Sequence, residues 1–221
     1  MVMPGDVTYR GRLFKPSNKG APAVILVPDG WGLTPAFEAM GAALASEGIL
    51  GLVVDMLGGK TAQDQQGADK LISEVDPGDA TDAISAWYDW LRSRAEASYR
   101  IAAFGFGPGG RWAVDGSVRK NAQGVAVWST RLETTSADLN TIYGAFIGHY
   151  SDHDSLPGPV IVADIEARLR VAGRTGYFYR YSARPFFYNP RSPDYDKLDA
   201  ALAWRRTMTI YRRLWDLPQA G

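Results

Sequence analysis

The feature that most constrains the fold of this chain is a series of short, continuously apolar runs that each end at a turn-forming residue. The runs are residues 23–27 (AVILV), 49–54 (ILGLVV), 101–104 (IAAF) and 124–128 (GVAVW). Strands that are apolar on both faces suit a parallel sheet covered by helices on each side. The pattern therefore predicts a layered α/β architecture.

Amphipathic helical patterns lie between these runs. Residues 37–46 are rich in Ala and Leu and stop near Gly48, and residues 79–94 place Ala83, Trp87 and either Trp90 or Leu91 on one face. The alternation of strand and helix predicts a doubly wound, mostly parallel sheet. In the second half we expect strands at residues 142–147 and 177–181, with a helix at residues 163–171 between them. A last helix is predicted from Tyr195 onward, with apolar residues every three or four positions: Leu198, Ala201, Trp204, Met208, Tyr211 and Trp215.

Composition limits the classes of function. The 221 residues predict a single domain spanning residues 1–221. Lys plus Arg and Asp plus Glu both number 24, so the net charge of +0 gives no support for a nucleic-acid partner. No signal peptide is visible in residues 1–10 and no apolar stretch is long enough to span a membrane, so we expect a cytoplasmic protein with no membrane partner. The absence of cysteine excludes disulfides, thiolate metal sites and a cysteine nucleophile.

The most informative segment is YRIAAFGFGPGGRW, residues 99–112, in which a strand enters a glycine-rich turn. Gly105, Gly107 and Gly110 satisfy the phosphate-cradling pattern G-x-G-x-x-G. The same residues fit a nucleophile elbow, in which Gly107 takes the position of the nucleophile. The dinucleotide interpretation is weakened because this turn does not follow the first strand. The next strand also ends without an acidic residue for a ribose hydroxyl, and only Arg131 is available there for a 2′-phosphate.

Several landmarks along the chain resemble the dienelactone hydrolase family of α/β-hydrolases. Asp29, Trp31 and Gly32 match a turn after the first strand, and Asp55 matches the end of the second. FGFGPGG, residues 104–110, is similar to the family's elbow G-x-C-x-G-G. GHYSDHD, residues 148–154, resembles the strand end that carries the catalytic aspartate. YRYSARPFFYN, residues 179–189, resembles the segment with the histidine in G-H-G-F-x-N, and residues 194–214 resemble the closing helix. The resemblance implies an α/β-hydrolase fold over almost the whole chain, with residues 60–74 matching least.

Carried over by position, the family's triad is incomplete in this chain. The nucleophile position holds Gly107 and the histidine position holds Arg184, whose guanidinium stays protonated; only Asp154 is retained. Pro108 follows the elbow and has no N–H to donate to an oxyanion. We therefore expect covalent hydrolysis at this elbow to be lost, with Asp154, Asp29 and Arg184 as the remaining catalytic candidates.

The resemblance also implies a cleft at the carboxyl ends of the strands, where open α/β sheets bind ligands. The residues expected to bind a ligand there are Gly30, Trp31, Asp55, Gly107, Pro108, Phe186 and Phe187. Aromatic walls and an arginine favour a small anionic or aromatic ligand. Asp29, beside an apolar wall, is expected to have a raised pKa and to act as an acid or base.

Alternatives remain open at this stage. The two histidines, His149 and His153, are expected in a surface loop, and a metal site there is not expected. An ester or lactone hydrolase with a relocated nucleophile would have to use His153 with Ser129 or Ser182. An NADP-binding oxidoreductase would use the glycine turn, and a purely structural relative would have a filled cleft. We expect no cofactor, and either a monomer or a homodimer. The hypothesis we favour is a ligand-binding protein or a catalyst of cyclisation, isomerisation or lyase chemistry.

Overall fold

The computed structural model describes residues 10–132, 136–154 and 159–218. The strands in these ranges are β1 (Arg10–Phe14), β2 (Ala21–Val27), β3 (Leu50–Asp55), β4 (Ala97–Phe106), β5 (Gly124–Trp128), β6 (Ala145–Ser151) and β7 (Gly176–Tyr181). The helices are α1 (Pro35–Ser46), α2 (Gln65–Ser73), α3 (Pro77–Arg92), α4 (Pro108–Arg119), α5 (Ser136–Leu139), α6 (Pro159–Val171) and α7 (Lys197–Trp215).

The seven strands form one sheet in the order β1-β3-β2-β4-β5-β6-β7. β1 runs antiparallel to β3, and each of the other neighbouring pairs is parallel. The predicted α/β class with a mostly parallel, doubly wound sheet is therefore confirmed. Because β4 and β5 lie near the centre, the turn that follows β4 is surrounded by other strand ends.

Both faces of the sheet are buried, as the apolar runs predict. In β2, Ile25 packs in a core with Trp87 of α3 and Trp112 of α4, whereas Leu26 packs in a second core with Phe37 of α1 and Tyr211 of α7. Successive side chains of a strand point to opposite faces, so a strand between two helical layers needs apolar residues at every position.

The predicted apolar faces of the long helices hold in α3 and in most of α7. Ala83, Trp87, Trp90 and Leu91 of α3 are all buried. In α7, Met208, Tyr211 and Trp215 are buried, but the side chains of Leu198 and Ala201 are exposed, Leu198 at 81%. The prediction was wrong for these two residues because the first turns of α7 lie outside the core.

Two elements were not predicted, and one strand is shifted. β1 is a partly polar edge strand, RGRLF, whose weak apolar pattern gave no signal. α2 lies in the segment that matches the family least and is capped by Asp64, whose carboxylate accepts a hydrogen bond of 2.7 Å from Gly67 N. β6 begins at Ala145 and not at Ile142, because Ile142 lies in the turn that follows α5.

Within the described ranges, no helix combines the length and the apolar character that a membrane span requires.

Candidate functional site

The glycine turn after β4 is a sharp strand-to-helix bend centred on Gly107. This residue has φ of 50° and ψ of −126°, a conformation that residues with a side chain rarely adopt, and α4 begins at Pro108. Two hydrogen bonds fix the bend to the end of β5. Gly107 N donates to Trp128 O at 2.8 Å, and Thr130 Oγ1 donates to Gly107 O at 3.0 Å. The geometry is that of an elbow that would present a side chain at the top of the sheet.

The glycines of this turn meet different surroundings. A Cβ on Gly105 would clash with Gly110 Cα and lie 2.8 Å from Gly109 O, and a Cβ on Gly110 would clash with Thr130. A Cβ on Gly107, in contrast, would lie 3.4 Å from Tyr188 Oη, which is an ordinary contact. Close packing of strand and helix therefore accounts for Gly105 and Gly110 without a bound phosphate, whereas Gly107 leaves open space.

Asp29 lies beside this space and is held by two hydrogen bonds. Its carboxylate accepts from Trp31 N at 3.0 Å and from the hydroxyl of Tyr188 at 3.0 Å. Burial raises the pKa of Asp29 to about 6, although both hydrogen bonds act in the opposite direction. Burial also raises the pKa of Tyr188 well above its ordinary value, and the neighbouring carboxylate adds to this effect. Asp29 is thus a carboxyl that titrates close to neutral pH.

A cavity of about 410 Å³ opens next to Gly107, at the carboxyl ends of the central strands. Its wall is partly apolar and partly polar, and it is lined by Ile72, Val75, Pro77, Gly107, Pro108, Arg111, Trp112, Ser129, Arg131, Asp154 and Phe186. The apolar part comes from α2, the loop after it and α4. The cations are two exposed arginines, Arg111 of α4 and Arg131 after β5. The predicted cleft is therefore present in the described structure at the expected edge of the sheet.

Ser129 and Asp154 form the polar part of the wall. Ser129 has a positive φ of 50°, which is unusual for a residue with a side chain, and its backbone N–H donates to His149 O at 2.9 Å. Within the described residues, Ser129 Oγ and Asp154 Oδ2 are buried and lack a hydrogen bond of good geometry. Burial raises the pKa of Asp154, while the nearby hydroxyl of Ser129 partly opposes that rise.

Of the residues expected in the cleft, Gly107, Pro108, Asp154 and Phe186 line the cavity, and Asp29 lies directly behind Gly107. Phe186, like Ser129, has a positive φ, here 62°. This grouping brings together strand ends that are far apart in the sequence, as the sheet topology requires.

Arg184 does not face the cavity, contrary to the expectation. Its side chain is 76% exposed and lies 4.0 Å from the carboxylate of Asp194. Counted back from Asn189, the pattern G-H-G-F-x-N would place the histidine at Pro185, one residue later. Neither side chain is a base, so the histidine position is without an imidazole under both alignments.

Four other residues expected to bind a ligand lie elsewhere. Trp31 packs in a small apolar cluster with Ala62 and Ala68, and a Cβ on Gly30 would lie 2.5 Å from Ala68 O. Phe187 is fully buried and stacks on Trp128, with ring centroids 5.7 Å apart. Trp31, Gly30 and Phe187 are thus packing residues in this structure.

Asp55 is the fourth of these residues. Its carboxylate accepts a hydrogen bond of 3.1 Å from Leu57 N, and it lines a different cavity together with Arg10 and Asp79. Asp55 is displaced from the cleft because β3 lies two strands away from β4.

The two histidines also lie outside the cavity. His149 is not in a surface loop, as we expected, but in β6, where it is fully buried. Its ring nitrogens lie 2.8 Å from the hydroxyl of Tyr181 and 2.7 Å from that of Thr207, and burial lowers its pKa well below the ordinary value. His153 is exposed in the turn that follows β6, as predicted. Neither histidine is among the residues that line the cavity.

Sequence reasoning missed three residues of the site: Tyr188, Arg111 and Trp112. Tyr188 is separated from Asp29 by 159 positions, and no motif marks it. Arg111 and Trp112 follow the glycine turn directly. Their location in the first turns of α4, next to the elbow, was an available signal that they face the cleft.

Comparison with known proteins agrees with this geometry. The sequence model of the dienelactone hydrolase family matches residues 9–214. A protein from Klebsiella pneumoniae subsp. pneumoniae, described as a dienelactone hydrolase, has a similar structure, with a TM-score of 0.83 and 18% identity over 96% of both chains. A dienelactone hydrolase-like promiscuous phosphotriesterase from metagenomic libraries has a TM-score of 0.82 and 19% identity, over 95% of this chain and 94% of the other. The corresponding values for a dienelactone hydrolase from Anabaena variabilis are 0.72 and 18%, over 96% of this chain and 94% of the other. No curated protein matches the sequence.

Proposed function

The chain belongs to the dienelactone hydrolase family, and from this membership we propose that it is a member that does not hydrolyse esters or lactones covalently at the elbow. Instead, it holds a small anionic or aromatic ligand in the cavity beside Gly107. The observation that carries the proposal is Gly107 itself, which occupies the strained bend where a nucleophilic side chain would stand.

Loss of the oxyanion donor supports the proposal independently. In α/β-hydrolases, the backbone N–H that follows the nucleophile supplies half of the oxyanion hole. Pro108 occupies that position and has no N–H. Removal of a single oxyanion donor costs about 10²–10³ in rate, and removal of a triad nucleophile costs far more.

The distribution of bases is a third support. A serine or cysteine nucleophile is normally activated by an imidazole within hydrogen-bond reach. The chain has two histidines, and neither lines the cavity. The exposed guanidinium of Arg184 cannot accept a proton near neutral pH.

The wall of the cavity favours an anion with an apolar body. Arg111 and Arg131 offer guanidinium donors, which suit carboxylates, and Ile72, Val75 and Trp112 offer apolar contact. Asp154 and Asp29 have raised pKa values, so proton transfer to or from a bound ligand is the form of catalysis this site favours. Cyclisation, isomerisation and elimination all fall in that class.

Ser129 carries the competing hypothesis of a relocated nucleophile, because its strained backbone lies beside Gly107 and its hydroxyl lies near Asp154. A fluorophosphonate probe separates the two functions. We expect no labelling of the wild-type protein, whereas labelling at Ser129 would favour hydrolysis and overturn the proposal.

Binding is tested with phenylacetate, monitored by quenching of tryptophan fluorescence. We expect saturable quenching, and we expect the double variant R111Q/R131Q to bind at least tenfold more weakly because charge-assisted hydrogen bonds are lost. R119Q is the matched control, since Arg119 lies on the same helix and pairs with Asp82 away from the cavity. Binding of NADPH in place of carboxylates would favour the oxidoreductase, and binding of neither would favour a purely structural relative.

A further inference from the structure

Ser129 and Asp154 are two polar groups in one wall that lack satisfied hydrogen bonds. Ser129 Oγ and Asp154 Oδ2 are buried, they line the same cavity, and neither has a partner of good geometry among the described residues. Buried polar atoms in proteins are almost always hydrogen-bonded, so an unsatisfied pair that faces a cavity points to a group supplied by something that binds there.

The backbone at Ser129 indicates that the position of its hydroxyl has a use. Its φ of 50° is unfavourable for a serine, and the conformation is held by a hydrogen bond from Ser129 N to His149 O. Strain of this kind persists where the surrounding structure enforces it, and such positions cluster at functional sites.

The chemistry of the pair restricts what can bind. The carboxylate of Asp154 accepts hydrogen bonds and the hydroxyl of Ser129 can donate one, so the complementary group must both donate and accept. A ligand carboxylate would be repelled by Asp154 and is better placed against the arginines. A ligand hydroxyl satisfies both wall groups with a single atom.

We infer that Ser129 and Asp154 form a hydroxyl-recognition site, and that the ligand of this protein is a small hydroxylated carboxylic acid. Its carboxylate lies toward Arg111 and Arg131, and its hydroxyl lies between Ser129 and Asp154. This inference rests on the proposed function, because it assumes that the cavity binds an anion without covalent chemistry.

The test compares phenylacetate with two hydroxylated analogues, mandelate and 4-hydroxyphenylacetate, by titration calorimetry. We expect at least one hydroxylated acid to bind about tenfold more tightly than phenylacetate, because it satisfies the two buried groups. In S129A and D154N this preference should fall to below threefold, while the affinity for phenylacetate stays within twofold of the wild type. S182A is the matched control, since Ser182 is exposed and does not line the cavity.

The possible outcomes separate this inference from the proposed function. Equal affinity for the plain and hydroxylated acids, or an equal loss for both kinds of acid in S129A and D154N, would overturn the inference alone. Failure of every acid to bind would overturn the proposed function as well. Should D154N fail to fold, as judged by thermal unfolding, the S129A comparison decides the question by itself.

Discussion

The hydroxyl of Tyr188 donates a hydrogen bond of 3.0 Å to Asp29 Oδ2, although 159 positions of the chain separate the two residues. Both are buried, and both adjoin the open space left by the missing side chain of Gly107. The bond ties the turn after β2 to the segment before α7, behind the wall of the cavity. It also stabilises an ionised carboxylate in a place where burial opposes ionisation.

Replacement of Asp29 by Asn should remove a pH dependence of stability. Burial raises the pKa of Asp29 from 3.8 to about 6 in the folded protein, so between these pH values the folded state binds the proton more tightly than the unfolded state. The free energy of unfolding therefore falls as pH rises through this window. Relative to D29N, the wild type should lose about 2–3 kcal/mol between pH 4 and pH 7. Urea unfolding at four pH values measures this, and parallel curves for the two proteins would contradict it.

Alanine substitutions in the glycine turn should differ in cost. G107A places its Cβ in open space and suffers only from the positive φ, so we expect a loss of about 1–2 kcal/mol in the free energy of unfolding. G105A places its Cβ against the backbone of Gly110 and should lose more, about 3 kcal/mol or above, or fail to fold. Chemical denaturation of the two variants provides the comparison. A smaller loss for G105A than for G107A would show that the turn is packed differently.

His149 should contribute to stability and not to ligand binding. In H149F the hydroxyls of Tyr181 and Thr207 lose their imidazole partner, and we expect a loss of about 2–4 kcal/mol at pH 8. Burial lowers the pKa of His149 in the folded state, so below pH 6.5 the unfolded state binds a proton that the folded state does not. The advantage of the wild type over H149F should therefore shrink as pH falls. H153A, at an exposed turn, is the control and should change stability by less than about 0.5 kcal/mol.

Arg184 should be dispensable for binding. Its side chain is exposed and lies near Asp194, outside the cavity wall, so R184Q should keep the phenylacetate affinity of the wild type within about twofold. R131Q, at a residue that lines the cavity, provides the contrast and should weaken binding. Fluorescence titration of both variants decides between them, and a large loss of affinity in R184Q would restore this residue to the site.

The architecture was readable from the sequence because it depends on local patterns. β5 has the bounds that its apolar run predicts, and the buried face of α3 follows from residues three and four positions apart. The turn at Gly107 was equally visible, since glycine and proline are the residues that a sharp strand-to-helix bend requires. β1 gave no such signal, because an edge strand with one exposed face needs no continuous apolar run.

The membership of the site was decided only by the tertiary structure. Whether Arg184 or Arg131 faces the cavity, and whether Tyr188 or Trp31 borders the space at Gly107, depends on how the strand ends and loops pack against one another. Sequence spacing carries no information about such directions once the residues lie in irregular segments. The order of landmarks in the sequence therefore determined the fold and the elbow, whereas long-range packing determined which charges and hydroxyls surround it, because those contacts join residues that no local pattern relates.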